Sequence, residues 1–160
     1  MQFVYVLLGI FIGILTGGII INHYFNKMYI IKREEAEKFQ ASFMLLKDWI
    51  SMKQRGVSVS TVLKTKGYQN VIIYGMGHIG YCLVDELIGS DINVLYSIDK
   101  VFSGNYRGNE IKKLSQIEVI EDADVIIVTP FFCINQIEEV LKNKTKADII
   151  SIEEIIYSNI

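Results

Sequence analysis

The sequence predicts an α/β domain carried behind one membrane-spanning helix, and three observations predict it. Residues 3–21 contain no charged side chain, and an α-helix needs about 20 apolar residues to cross a hydrocarbon core. From Asn70 onward, short β-branched runs alternate with helical stretches, the pattern of a parallel sheet built from strand-helix-strand units. A glycine-rich turn, Gly75-Met76-Gly77-His78-Ile79-Gly80, joins the first such strand to the first such helix.

The chain has 160 residues. After an anchor and a spacer, roughly 90 remain for a globular core, enough for half of a full dinucleotide-binding fold. With 51% hydrophobic residues, a net charge of -2 and one proline, the chain is too apolar for disorder and lacks the basic excess of a nucleic-acid binder. Cys82 and Cys133 fall in apolar or helical stretches rather than in a paired framework, so they are expected as reduced, buried thiols.

The apolar segment lacks a basic flank before it and a small-x-small site after Gly17-Gly18, so it reads as an uncleaved anchor rather than a signal peptide. Lys27, Lys32 and Arg33 follow it, with no Lys or Arg before it. The positive-inside rule then puts the C-terminal part in the cytoplasm, on a single-pass plasma-membrane protein. Gly9, Gly13 and Gly17 recur every fourth residue, the spacing of a helix-pairing seam, and suggest a homodimer. From His23 to about Arg55 the helix is expected to continue. It places Phe39, Phe43, Leu46 and Ile50, joined by Trp49, on one apolar face, while Lys32, Arg33, Glu34, Glu35, Glu37 and Lys38 form a solvated face. Gly56 stops this helix, Ser58 or Ser60 caps a short one through Val62-Leu63, and Gly67 ends it. The expected divisions are an anchor over residues 1–23, an amphipathic spacer over 24–66 and the α/β domain over 67–160.

Within that domain, Val71-Ile72-Ile73-Tyr74 has the composition of a strand buried on both faces. The helix after the glycine turn is expected to face the sheet with Ile79, Leu83, Leu87 and Ile88. Asn93 to Ile98 forms the second strand and ends at Asp99. A polar loop through Arg107, a short element near Ile111 and a helix around Leu114 follow. Ala123 to Thr129 forms the next core strand. A helix from Ile134 to Leu141, a strand from Asp148 to Ser151 and a turn or helix from Ile152 to Tyr157 complete four or five parallel strands.

The glycine turn is the chemical signal. Gly75 allows a sharp exit from the strand, Gly77 lacks the side chain that would hold a phosphate away, and Gly80 lets helix and sheet approach. Met76, His78 and Ile79 supply backbone at a helix start, where free N–H groups and the helix dipole attract an anion. Asp99 lies 24 residues beyond Gly75, near the spacing at which an acid meets ribose hydroxyls. It favours NAD or another nucleotide, a UDP-sugar among them, over NADP, although Lys100 beside it blurs that preference. Lys100 and Arg107 are expected at the carboxyl edge of the sheet, facing phosphate or sugar or else solvent. Thr129, at the same edge, either meets the ligand or caps the next helix.

The run Gly67 to Gly80, with Ile98-Asp99-Lys100, Asp124 to Pro130 and Ile149 to Ile156, resembles the Rossmann-type nucleotide-binding modules of bacterial capsule and exopolysaccharide biosynthesis proteins. These include the N-terminal domain of membrane-bound sugar-nucleotide dehydratases and modules attached to glycosyltransferases. The resemblance covers about 95 residues. It implies a Rossmann-like sheet, nucleotide contacts at Gly75, Gly77, Gly80 and Asp99, and polysaccharide-assembly enzymes as partners. The dehydratases continue into a catalytic domain, and a Tyr-x-x-x-Lys pair to carry its proton and hydride chemistry is read as missing here. His23 and His78 have no evident Ser or Cys partner, and no HExxH or CxxC spacing suggests a metal. The expected role is a membrane-anchored nucleotide-binding accessory module with no catalytic or metal site. The alternatives are a sugar-nucleotide oxidoreductase or epimerase subunit completed by a partner, and a gating domain of an ion transport system, which would carry a Gly-Asp step absent here.

Overall fold

In the computed structural model, residues 1–158 are described, Leu8 and Ile12 by backbone alone. Asn159 and Ile160, the last positions of the expected domain, lie outside the described residues. The protein is α/β, with a long N-terminal apolar helix and a mixed six-stranded sheet. It divides into two compact units, residues 1–41 and 42–160. Residues 42–66, read from sequence as spacer, therefore belong to the second unit.

Helix α1 spans Gln2–Gln54. Its N-terminal part is long and apolar enough to cross a membrane. Exposed Lys32–Glu35 and Arg33–Glu37 ion pairs line the first unit's later turns, at helical spacings of three and four residues, and add little stability each. In the second unit the buried face of α1 is Leu45, Trp49 and Met52. This corrects the expected stripe, because Phe39, Phe43 and Ile50 are exposed. Gly56 ends the turn after α1 with φ +81°, a conformation that suits glycine. Ser58 then caps α2, Val59–Thr65, its Oγ accepting from the Thr61 N–H at 3.1 Å.

Five parallel strands form the body of the sheet: β1 (Asn70–Tyr74), β2 (Asn93–Asp99), β4 (Asn109–Lys113), β5 (Val125–Val128) and β6 (Asp148–Ser151). A sixth, β3 (Gly104–Tyr106), pairs antiparallel with β4 at one edge. The order is β3-β4-β2-β1-β5-β6. The count exceeds the expected four or five, and the sheet is mixed, because the polar loop after Asp99 folds as the β3–β4 hairpin. That hairpin occupies the place in the chain where a crossover helix would stand. The helix expected around Leu114 is a single 3-10 turn, Leu114–Gln116.

Helix α3, His78–Leu87, follows β1; α4, Ile134–Leu141, precedes β6, and α5, Ile152–Tyr157, follows it. Strand residues alternate between faces. Ile72, Tyr74, Ile98, Ile126 and Val128 share a core with Leu141, Ile134 and Ile137 of α4. Val71, Ile73, Val125 and Ile127, all fully buried, face the other side, where α3 packs on β1 and β2. Ile79, Leu83, Val84 and Leu87 are the buried face of α3. Ile88, expected to join them, is half exposed because the helix ends before it and its backbone turns extended.

β1 is central. The chain leaves it toward β2 on one side and returns to its other side at β5. Their carboxyl ends therefore border the crevice where connections diverge, the place where open α/β sheets bind ligands.

Candidate functional site

The glycine turn stands at that crevice. Gly75 continues β1 with φ +95°, and a Cβ there would lie 2.5 Å from Pro130 Cδ. Its N–H donates to the Ile98 carbonyl at 2.8 Å, and its carbonyl accepts the Thr129 hydroxyl at 2.6 Å. A Cβ on Gly80 would lie 2.2 Å from that same Gly75 carbonyl oxygen. Gly75 and Gly80 are thus required by backbone shape and close packing. Gly77 is different: its φ is -85°, which any residue adopts, and a Cβ there would meet nothing within 4 Å.

Gly77 also caps α3 without a side chain. The N–H groups of His78, Ile79 and Gly80 are those a helix start leaves without intrahelical acceptors. Met76 and Ile79 are buried, while His78 is exposed at the first position of the helix.

Asp99 is drawn into the turn. Its Oδ2 accepts the Met76 N–H at 2.9 Å, and its Oδ1 accepts those of Val101 at 2.9 Å and Phe102 at 3.1 Å. Burial pushes its carboxyl up, but the backbone N–H groups of Val101, Met76, Phe102 and Lys100 together outweigh burial and hold it below the ordinary carboxylate range. A carboxylate oxygen accepts about two hydrogen bonds, so Oδ1 is filled by backbone and remaining capacity lies on Oδ2.

Thr129 is buried, and its hydroxyl donates to the Gly75 carbonyl and, at 3.2 Å, to that of Tyr74. It fixes the turn, and because the helical turns that follow are capped at Pro130 and Cys133, the helix-cap role is corrected. Lys100 is exposed beside Asp99. Arg107 stands elsewhere: it lies in the hairpin turn before β4, toward the amino ends of the parallel strands. There its guanidinium pairs with Asp85 at 2.8 Å, a carboxylate that also accepts the Tyr106 hydroxyl at 3.1 Å. The expectation of Arg107 at the carboxyl edge is corrected, because a loop that returns as a hairpin carries its tip back to the opposite edge.

Tyr96 and Lys100 do stand at Tyr-x-x-x-Lys spacing, which corrects the reading that no such pair exists. On a helix these two would be neighbours; along β2, four residues at about 3.3 Å each put them about 13 Å apart. Burial first, and Glu110 second, push the Tyr96 phenol up rather than down, opposite to what a proton-transfer tyrosine needs. The cysteines are free, as expected, but Cys82 is exposed and Cys133 half-buried, since Cys82 lies on the outer face of α3.

No family model matches the chain, and no curated protein matches it.

Sequence reasoning missed a carboxylate in the second unit that is both buried and held by three donors. Glu86 of α3, its side chain 6% exposed, accepts from Trp49 Nε1 at 2.8 Å, the Val59 N–H at 2.9 Å and Lys53 Nζ at 2.9 Å. The signal available in sequence was a lone tryptophan on a helix, whose indole N–H needs an acceptor when buried. A separate cleft, lined by residues 119–124 and 142–148, lies at the amino ends of β5 and β6, the opposite end of the sheet from the glycine turn.

Proposed function

We propose that this chain is a membrane-anchored module whose α/β unit is Rossmann-like and binds a nucleotide, NAD or a nucleoside-diphosphate sugar, at the glycine turn. The observation that carries the reading is Gly77. Gly75 and Gly80 answer demands of the fold, whereas Gly77 answers none, and its missing side chain leaves space beside unpaired helix-start N–H groups. A pyrophosphate fits that space by size, charge and hydrogen-bond complementarity. The order β4-β2-β1-β5-β6 of the parallel strands also supports it, being the 3-2-1-4-5 order of dinucleotide-binding sheets.

The long apolar helix supports anchoring, and Lys27, Lys32 and Arg33 behind it support a cytoplasmic α/β unit. The role proposed is sensor or scaffold. Its setting in cell-surface polysaccharide assembly rests on the resemblance carried by Gly67 to Gly80, Ile98 to Lys100, Asp124 to Pro130 and Ile149 to Ile156.

A thermal-shift screen of the full-length protein in detergent micelles against NAD, NADP, UDP, UDP-sugars, ATP and coenzyme A tests the reading. A ligand at 100 times its Kd stabilises by about 2.7 kcal/mol. A selective shift is expected, and Gly77→Val should abolish it while leaving the melting temperature of the unliganded protein in place. No shift with any of these ligands, or a shift that survives Gly77→Val, overturns the proposal.

A further inference from the structure

We propose that Glu86 couples the glycine turn to the last turns of α1, so that nucleotide occupancy changes the environment of Trp49. This rests on the nucleotide-site reading above. The juxtaposition is direct: one ten-residue helix, α3, begins at the turn and carries Glu86 near its other end.

Each end is held. At the first, the Gly80 Cα approaches the Gly75 carbonyl so closely that an added Cβ would sit 2.2 Å from it, and the same carbonyl is bound by Thr129 at 2.6 Å. A ligand that displaces the turn therefore has no slack to take up between turn and helix, and α3 moves as a body. At the second end, Glu86 is held by Trp49, Lys53 and the first backbone N–H of α2. Its side chain is 6% exposed against 51% for Lys53, so water is poorly placed to replace the buried bonds when they stretch. Trp49 and Lys53 both lie on α1, one turn apart, and bind the same Oε2 atom. Movement of α3 is thereby delivered to α1 at one point, and by reciprocity a change in α1 alters affinity at the turn.

Trp49 is the sole tryptophan, so its emission reports the junction. The experiment uses full-length protein in lipid nanodiscs, with NAD and UDP-glucose as probes. Occupancy is measured by equilibrium dialysis of radiolabelled nucleotide, and Trp49 emission is measured in parallel. The expected result is an emission change that saturates with the same Kd as dialysis. Glu86→Gln and Lys53→Met should still reach saturation, with the emission change at least halved and Kd shifted by about five-fold. Lys53→Met removes only the exposed partner and leaves both buried donors on the carboxylate, so it decides the matter if Glu86→Gln does not fold. Saturable binding with Trp49 emission unmoved, or with an undiminished change in Lys53→Met, overturns the coupling and leaves the nucleotide site standing. Failure of both nucleotides to bind in dialysis overturns the coupling together with the site.

Discussion

Gly80→Ala separates packing from ligand recognition in the glycine turn. The added methyl would lie 2.2 Å from the Gly75 carbonyl oxygen, against about 3.3 Å for an ordinary carbon-oxygen contact. The turn or α3 must therefore move by about 1 Å, and the struck atom is backbone already bound to Thr129. Overpacking of this kind costs about 1–3 kcal/mol, and a backbone obstacle puts the cost at the upper end. Alanine returns up to about 1 kcal/mol through helix propensity. The net expectation is destabilisation by about 2 kcal/mol, which in a domain of this size lowers Tm by roughly 8 °C. Gly77→Ala, whose methyl meets nothing within 4 Å, should stay within about 0.5 kcal/mol of the parent. Urea unfolding of the full-length protein in micelles, followed by Trp49 emission, reads both variants, since Trp49 is 4% exposed. A parental midpoint for Gly80→Ala would refute the close-approach argument. An equal loss in Gly77→Ala would refute the claim that the fold makes no demand there.

Glu86→Ala leaves two buried donors without an acceptor, the Trp49 indole and the Val59 N–H; a loss of about 2–4 kcal/mol is expected in the same unfolding assay, and a loss below about 0.5 kcal/mol would show the junction to be slack. The Asp99 carboxyl is held down in the folded protein. Its contribution is therefore present above the unfolded value of about 3.9 and disappears as pH falls through the folded value. The Tm gap between parent and Asp99→Asn should accordingly shrink on acidification, and a gap independent of pH would contradict this. The Tyr68 hydroxyl donates to Asp148 at 2.7 Å, and that bond, then burial, pushes its phenol up to about 12. Its contribution is full below the unfolded value of about 10 and lost as pH rises toward 12; Tyr68→Phe should flatten this alkaline decline in a melting series, and an unchanged slope would exclude it. If the apolar helix pairs through its glycine face as the sequence suggests, Gly13→Ile should weaken that self-association in a membrane two-hybrid assay, with an undiminished signal removing the seam.

The stretch from Asn70 to Asp99 was legible because each feature is encoded within a few residues. β-branched runs mark β1, a positive φ demands glycine at 75, and the helical period of α3 follows at once. The hairpin was not legible. Only Ile111 of its strands is fully buried, so no apolar alternation announces it. Its two-residue turn takes positive φ at Arg107 as well as Gly108, 50° and 88°, where Asn-Gly is the usual signal. The buried face of α1 was misread for another reason. Phe39, Phe43, Leu46 and Ile50 stand at helical spacing, but Leu45 and Met52 line up on the same helix with Trp49, the one expected member of the face that is buried, and spacing alone does not rank the two stripes. In the site, the chain positions of Asp99 and Thr129 were readable, but not that their polar atoms serve the turn itself, since that depends on distances between β1, β2 and β5.

The sheet ends in short strands on both sides, three residues at β3 and four at β6. Open edges are where one chain's backbone recruits another's. Under the proposed anchoring, neighbours would diffuse in two dimensions and collide repeatedly in similar orientations. Three or four residues offer too few ladder bonds to hold such an encounter, so crowding along the membrane would raise contact frequency without seeding aggregates.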